Sequence, residues 1–416
     1  MKKNIKFIII GIVILIIVIF TTLYIININN AEIILNQKNL EITIGGEEKI
    51  LLKKTGNHLL NKKITWSSSN NNVAIVNDDG VVKGLSKGNT IITARTSNGK
   101  EVQCNVIVNE LNCTMDSKIH FINTGSSDAF LIESCGHYGL VDASNAYNDG
   151  TKKSVSGYQN SVEHVTNYLA KIMGCNGISC KGKLDFVIAT HSHSDHIGGM
   201  VKIASVFTDS NTKYFYRKYI KTRDDVTKDW DNQGYYDRAV KAMENAGAMM
   251  IEITDNDPIF NFYDFNIFLM NTNKVSKDEL EKGIARSENK NAIIELVVHR
   301  NGVKTLLASD MEEEDEKRVK DKIGKVDILK VGHHSWDWSN SNEFLEKLKP
   351  NHMIITNNTI IDKDRICYGL KINPLAKVYL TSSVNDAIIA VYSQDGYQLM
   401  NDEEKIVLES DICNIN

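Results

Sequence analysis

The chain has 416 residues, 42% of them hydrophobic and 24% charged. These proportions exclude a collagen-like, mucin-like or wholly disordered protein and suit two or three folded domains. A formal charge of -4, from 48 basic and 52 acidic side chains, argues against a surface that captures nucleic acid or anionic membrane all over. The charge is uneven: residues 1–30 carry Lys2, Lys3 and Lys6 and no acid, residues 31–110 carry a net +2, and residues 111–416 therefore carry -9.

The first element is an uncharged run from Phe7 to Ile26. Twenty apolar residues are what a helix needs to cross the ~30 Å hydrocarbon core of a bilayer. Three lysines precede the run, and the first acid after it is Glu32. The expectation is a transmembrane signal-anchor within residues 1–30, giving a single-pass cell-membrane protein with a cytoplasmic N-terminus and extracellular C-terminal domains. A cleaved signal peptide is the rival, but Tyr24 to Ile28 offer no A-x-A-like site. Seven cysteines, sparse and odd in number, are not a disulfide framework. Cys175 and Cys180 are close enough to bridge across a turn, with two reduced thiols as the alternative. No CxxC spacing exists, which argues against a thiolate zinc site.

Residues 31–109 read as short β-runs separated by turns. Ile42 to Ile44, Ile64 to Trp66, Val73 to Val76, Val81-Val82, Thr90 to Ala94 and Val102 to Val108 alternate with Gly-, Ser- and Asn-rich breaks. Asp79-Gly80 between two apolar runs is a hairpin signal. The pattern predicts an all-β sandwich with Trp66 in its core. The stretch ITWSSSNNNVAIVNDDGVVKGLSKGNTIITA resembles the bacterial Ig-like group 2 domain. That resemblance implies a surface spacer or adhesion module, with a cell-surface ligand as its partner.

Residues 115–416 change to a mixed α/β pattern. Apolar strands are expected at Ile119 to Ile122, Ala129 to Ile132, Gly139 to Val141, Phe186 to Ala189, Ile293 to Val298, Lys304 to Ala308 and Val326 to Val331. Helical spacing appears in Val162 to Met173, in the acidic stretch Met311 to Val319, and near Asn342 to Leu348. Asn340 and Glu343 are spaced as a capping box for the last of these. Asp224 to Arg238, with Trp230, Tyr235 and Tyr236, reads as a loop over a cleft.

The chemistry sits at strand ends. After Phe186 to Thr190 comes His191-Ser192-His193-Ser194-Asp195-His196, followed by Gly198-Gly199. Three imidazoles and a carboxylate within six residues suit a transition metal, and the glycines allow a close turn. This string resembles the HxHxDH signature of the metallo-β-lactamase fold, an αββα sandwich. Asp142 in GLVDAS, Asp310 in LLASD and His333-His334 in DILKVGHHS follow in the order of that fold, and the likeness covers 117–358. The series FINTGSSDAFLI, VDAS, THSHSDHIGGM, LLASD and LKVGHHSWDWS is similar to the extracellular domain of ComEC-type competence proteins. Phosphorylcholine esterases share much of it.

The resemblance implies two divalent metal ions, Zn or Mn, held by His191, His193, Asp195, His196, Asp310 and His334, with Asp142 supporting a ligand. Asp195 and His333 are the candidate catalytic residues, Asp195 as a ligand rather than a nucleophile and His333 facing substrate, with the sequence leaving open which of His333 and His334 binds metal. It implies a hydrolase that cleaves a phosphodiester, in nucleic acid or a wall-linked polymer, with a metal-bridged hydroxide. Lactone or β-lactam hydrolysis and a non-catalytic adhesion protein are the alternatives. The fold's usual third His has no counterpart, since no His lies between 197 and 298. The substrate candidates are Trp336 and Trp338, which flank Asp337 and equally suit packing beneath the site, and Tyr216 and Arg217 in the basic, aromatic stretch KYFYRKYIKTR at 213–223. That stretch equally suits an amphipathic strand with one wet basic face.

Overall fold

The computed structural model describes residues 14–22, 32–55, 63–97, 99–111, 113, 115–145, 161–228, 230–254, 257–272, 287–401, 403 and 413. The chain divides into two compact units, Met1–Leu111 and Asn112–Asn416.

The expected transmembrane helix requires correction. Among the described residues no helix is long and apolar enough to cross a membrane. The described helical residues in that region are 14–22. The remainder of the expected span lies outside the described residues.

In the first unit, strands Asn39–Thr43, Glu101–Asn109, Gly88–Thr96 and Ile64–Ser68 form one sheet in that order. Strands Glu47–Lys49, Val81–Gly84 and Ala74–Val76 form a second. Along strand Glu101–Asn109 buried and outward residues alternate, and Ile42, Ile50, Val82, Ile92, Val106 and Val108 fill the interior. Trp66 is half-buried against this core rather than inside it. Gly80 must be glycine twice over: its φ is +79°, and an added Cβ would stand 2.8 Å from the Trp66 ring.

The second unit has four layers. One sheet of eight strands runs Met249–Glu252, Lys213–Tyr216, Leu184–Ile188, His137–Val141, Phe130–Ser134, Ser117–Ile122, Ala387–Ser393, Gly396–Asn401. The other, of seven, runs Ile259–Phe262, Phe265–Met270, Ile294–His299, Lys304–Leu307, Ile328–Lys330, His352–Ile355, Lys377–Leu380. The sheets pack face to face through Ile119, Phe121, Phe130, Ile267, Val297 and Ile354, all buried. Helices Ser161–Ile172, Met200–Phe207 and Asn232–Ala246 cover the outer face of the first sheet. Helices Glu313–Ile323, Asn342–Leu348 and Lys363–Ile372 cover the second. Strands with both faces covered become almost wholly buried, as Ile328–Lys330 is.

Two local expectations are revised. Residues 224–238 are mostly helical, in Arg223–Thr227 and Asn232–Ala246, and Asp231 caps the second helix at the Gly234 amide. Ser341, not Asn340, caps helix Asn342–Leu348, accepting from the Phe344 amide at 3.3 Å. Asn340 is engaged elsewhere, with Gly332.

The inter-sheet layer carries much of this unit's stability. Phe121 is fully buried and meets Phe130 edge-on, ring centres 5.6 Å apart. Phe121→Ala is expected to cost about 3–5 kcal/mol of stability in urea unfolding. A loss below about 1 kcal/mol would show that this layer tolerates a cavity.

Candidate metal centre

Parallel strands in both sheets deliver the polar residues to one edge. Strand His137–Val141 pairs in parallel with Leu184–Ile188, and these are followed by Asp142 and His191. Strands Lys304–Leu307, Ile328–Lys330 and His352–Ile355 are mutually parallel and are followed by Asp310, His333-His334 and Thr356. Carboxyl ends of parallel strands leave backbone and side chains free to converge on a ligand. The two edges are joined there: the Ser309 hydroxyl donates to Thr190 Oγ1 at 2.9 Å, and the Ile293 amide to the Thr190 carbonyl at 3.1 Å.

The loop after Thr190 folds its imidazoles inward because its backbone is pinned. Ala143 N–H donates to the His196 carbonyl at 2.7 Å, and Asp128 N–H to the Asp195 carbonyl at 3.1 Å. Gly199 lets the next helix begin against Ala143, whose carbonyl oxygen would lie 2.1 Å from an added Cβ. Its role is close approach, since its φ is -80°.

Two donor groups result, and they share Asp310. His191, His193 and Asp310 form one; Asp128, His196, Asp310 and His334 form the other, with ligand atoms in each within 4.8 Å of one another. His191 Nε2 is 3.1 Å from His193 Nδ1 and 3.9 Å from Asp310 Oδ2. His196 Nε2 is 3.3 Å from Asp310 Oδ2, and His334 Nε2 is 3.4 Å from Asp310 Oδ1. Asp195 stands just outside the second group, Oδ2 3.6 Å from His334 Nε2.

Outer contacts set which ring nitrogen faces inward. Asp142 Oδ2 is 2.7 Å from His196 Nδ1, and Asp142 also accepts from the Thr190 amide and hydroxyl. His334 Nδ1 lies 2.9 Å from Thr356 Oγ1 and 3.1 Å from the Thr356 carbonyl. Both rings thus present Nε2 to the interior. His196 Nε2, His334 Nε2 and Asp310 Oδ1 are buried and lack a hydrogen-bond partner. Such a set costs free energy unless a cation meets it, so the residues fit a divalent ion.

The charges support this. Burial, reinforced by His196 and His193, holds His191 well below the ordinary imidazole pKa, so it is the neutral, ligating form. Burial works against charge on His196, yet Asp310 and Asp142 hold its pKa well above the usual value, so an ion bound at its Nε2 would have to displace that proton. His333 is lowered by burial.

The turn Gly332–Ser335 aims the His pair. His333, His334 and Ser335 all have left-handed φ, at 50°, 49° and 66°. Such backbone is costly in non-glycine residues and persists only when clamped. Asn340 clamps it, accepting from the Gly332 amide at 2.8 Å and donating to the Gly332 carbonyl at 2.9 Å. His333 then lies on the open side, its Nε2 3.1 Å from Asn289 Nδ2 and 3.9 Å from Asp310 Oδ2.

Several participants escaped the sequence reading. Lys330 is fully buried, its Nζ 2.5 Å from Asp128 Oδ2, 3.7 Å from Asp310 Oδ1, and donating to the Ser309 carbonyl at 2.9 Å. Asp128 also accepts from the Thr356 hydroxyl at 2.7 Å. Its carboxylate is therefore largely committed to protein partners. Asp128 and Lys330 stand inside the quoted motifs, but no spacing rule marks them. Glu288 accepts from the Ser192 amide at 3.0 Å; with Asn289 it follows a stretch, 273–286, that carries no motif.

The substrate candidates divide. Tyr216 and Arg217 line a pocket with His191, Ser192, Glu288 and Tyr219. Arg217 donates to the Asn291 carbonyl. Trp336 and Trp338 are not among that pocket's lining residues and are 46% and 73% exposed. The aromatic ring that meets the donor groups is Trp230, edge-on to His193 with centres 5.2 Å apart.

Comparison with known proteins adds the following. Residues 32–106 are a bacterial Ig-like domain (group 2). The chain is 24% identical over 183 residues to ComE operon protein 3 of Bacillus subtilis (strain 168), covering 43% of this chain and 21% of that one. It is 52% identical over 50 residues to kappa-carrageenase of Pseudoalteromonas carrageenovora, covering 12% of this chain and 13% of that one. The match thus spans about a fifth or less of these relatives' own length. A possible metal-dependent hydrolase from Veillonella parvula DSM 2008 aligns in structure over 66% of this chain and 87% of its own, with TM-score 0.33 and 10% identity.

Two outcomes test this arrangement. Lys330→Met leaves Asp128 buried without its cation and is expected to cost about 3–5 kcal/mol in urea unfolding, partly recovered by adding Asp128→Asn. An unchanged unfolding midpoint would refute the charge pairing. Burial pushes the Glu288 pKa from 4.5 to about 7. A raised carboxyl pKa means the folded chain binds that proton more tightly. Its stabilising contribution is therefore full below pH 4.5 and is lost as pH rises through about 7. Glu288→Gln is expected to flatten that part of the stability profile, by up to about 3 kcal/mol.

Proposed function

We propose that residues 112–416 form a metal-dependent hydrolase of the metallo-β-lactamase type, acting on a phosphodiester in nucleic acid or a wall-linked polymer outside the cytosol. The observation that carries this is the pair of donor groups sharing Asp310, with buried nitrogen and oxygen atoms that no protein group satisfies. His191 and His193 with Asp310 would hold one ion. His196, His334 and Asp310, with Asp195 alongside, would hold the other; zinc and manganese both suit this donor set. Bound divalent ions supply an activated water near neutral pH and offset charge on a phosphoryl or carbonyl oxygen.

The chain's own residues do the rest. Asp142 and Thr356 orient the His196 and His334 rings. His333, held at Nε2 by Asn289 and partly exposed, would face the substrate and position its phosphate. Arg217, Lys218 and Tyr219 line the pocket beside His191 and favour an anionic substrate. That pocket favours the phosphodiester over a neutral lactone. Disulfides Cys175–Cys180 and Cys367–Cys413 support an oxidising compartment. The Ig-like domain serves as spacer or ligand-binding module for the hydrolase.

The test is metal content and turnover of the purified full chain. Bis(p-nitrophenyl) phosphate, single-stranded DNA, p-nitrophenyl phosphorylcholine and nitrocefin are the substrates. Up to two divalent ions per chain and phosphodiester turnover are expected, with His193→Ala and Asp310→Ala each losing roughly hundredfold or more. No bound metal and no turnover would overturn the hydrolase, and turnover of nitrocefin alone would overturn the substrate class.

A further inference from the structure

Cys113 and Cys135 lie apart from the metal centre. Their Sγ atoms and an Asp264 oxygen are within 4.8 Å of one another. The register explains why they meet. Strand Ser117–Ile122 pairs antiparallel with Phe130–Ser134, and the Ser117 and Ser134 hydroxyls are 2.9 Å apart. The residues just before Ser117 therefore run beside the tight turn at Cys135-Gly136, where both φ values are positive.

A metal does not suit this cluster. The Asp264 carboxylate is already engaged: Oδ2 accepts from Ser117 at 2.7 Å and Ser134 at 3.4 Å, and Oδ1 pairs with Arg300 at 3.0 Å. Two thiols then remain, short of the four ligands of a structural zinc site. The other cysteines point to oxidation instead. Four of the seven are already paired, and Cys104 is fully buried in the first unit.

We propose that Cys113 and Cys135 close a third disulfide, which fastens the start of the second unit to the turn after Phe130–Ser134. The S–S bond forms as each thiol gives up its proton. The two electrons pass to an oxidised dithiol–disulfide exchange protein, whose own disulfide is reduced to two thiols that take up two protons. The link leaves Cys104 as the single free thiol.

The experiment uses the full chain exported to an oxidising compartment, quenched with an alkylating agent and denatured. Non-reducing digestion and mass spectrometry are expected to yield a peptide joining Cys113 to Cys135, with one alkylated cysteine, Cys104. Cys113→Ala is expected to raise the free-thiol count to two by exposing Cys135, and to lower Tm only under non-reducing conditions. Alkylation of both Cys113 and Cys135 in the unmutated chain would overturn the proposal. So would a zinc ion lost on Cys113→Ala. Neither outcome touches the metal centre, so the hydrolase reading stands or falls separately.

Discussion

Three carboxylates, Asp128, Asp142 and Asp310, share one buried volume at the edge where the two sheets meet. Water cannot reach them, so each must be met by a donor or a cation. Asp142 is met by His196 and Thr190, and Asp128 by Lys330 and Thr356. Asp310 is met only in part: Lys330 stands 3.7 Å from one oxygen, and imidazole nitrogens stand 3.3–3.9 Å around both. These are approach distances, not hydrogen bonds. The centre is thus organised around one acid whose compensation the protein leaves incomplete.

That constraint explains local features that otherwise look unrelated. A lysine ends a wholly buried strand because Asp128 needs a cation. Three successive residues adopt left-handed backbone because only that turn sends His334 inward while leaving His333 beside the opening. Asn340, which might have capped a helix, is instead spent on holding Gly332, and Ser341 takes over the cap. Removing a buried partner costs more than the contact is worth in isolation, since the remaining charge has no water to fall back on.

How much of this was legible in the sequence depended on locality. His191, His193 and His196 fall within six residues after an apolar strand, so their convergence could be read directly. Asp142, Asp310 and His334 were recovered only through the order of motifs, because the strands that bring them together are far apart in the chain. Lys330 and Asp128 lie within those motifs but pair across sheets, a relation that no periodicity encodes. The basic, aromatic stretch at 213–223 was half legible: Tyr214 and Phe215 are buried strand residues, while Arg217 and Tyr219 reach the pocket. Trp336 and Trp338 looked like pocket walls from their place beside the His pair, but the turn carries them toward solvent. The apolar run at 7–26 had the composition of a span, yet among the described residues no helix is long and apolar enough to cross a membrane.

The missing third histidine has a consequence for the proposed chemistry. The group of His191, His193 and Asp310 offers two imidazoles and shares its carboxylate with the neighbouring group. His333 approaches the same Asp310 oxygen as His191 does, each at 3.9 Å, but Asn289 already engages its Nε2. Its other ring nitrogen, Nδ1, is buried. Under the hydrolase reading, the first ion is held by fewer protein ligands than the second. It would therefore be the more easily lost, and the pocket lined by Arg217 and Tyr219 shares His191 with its donor group.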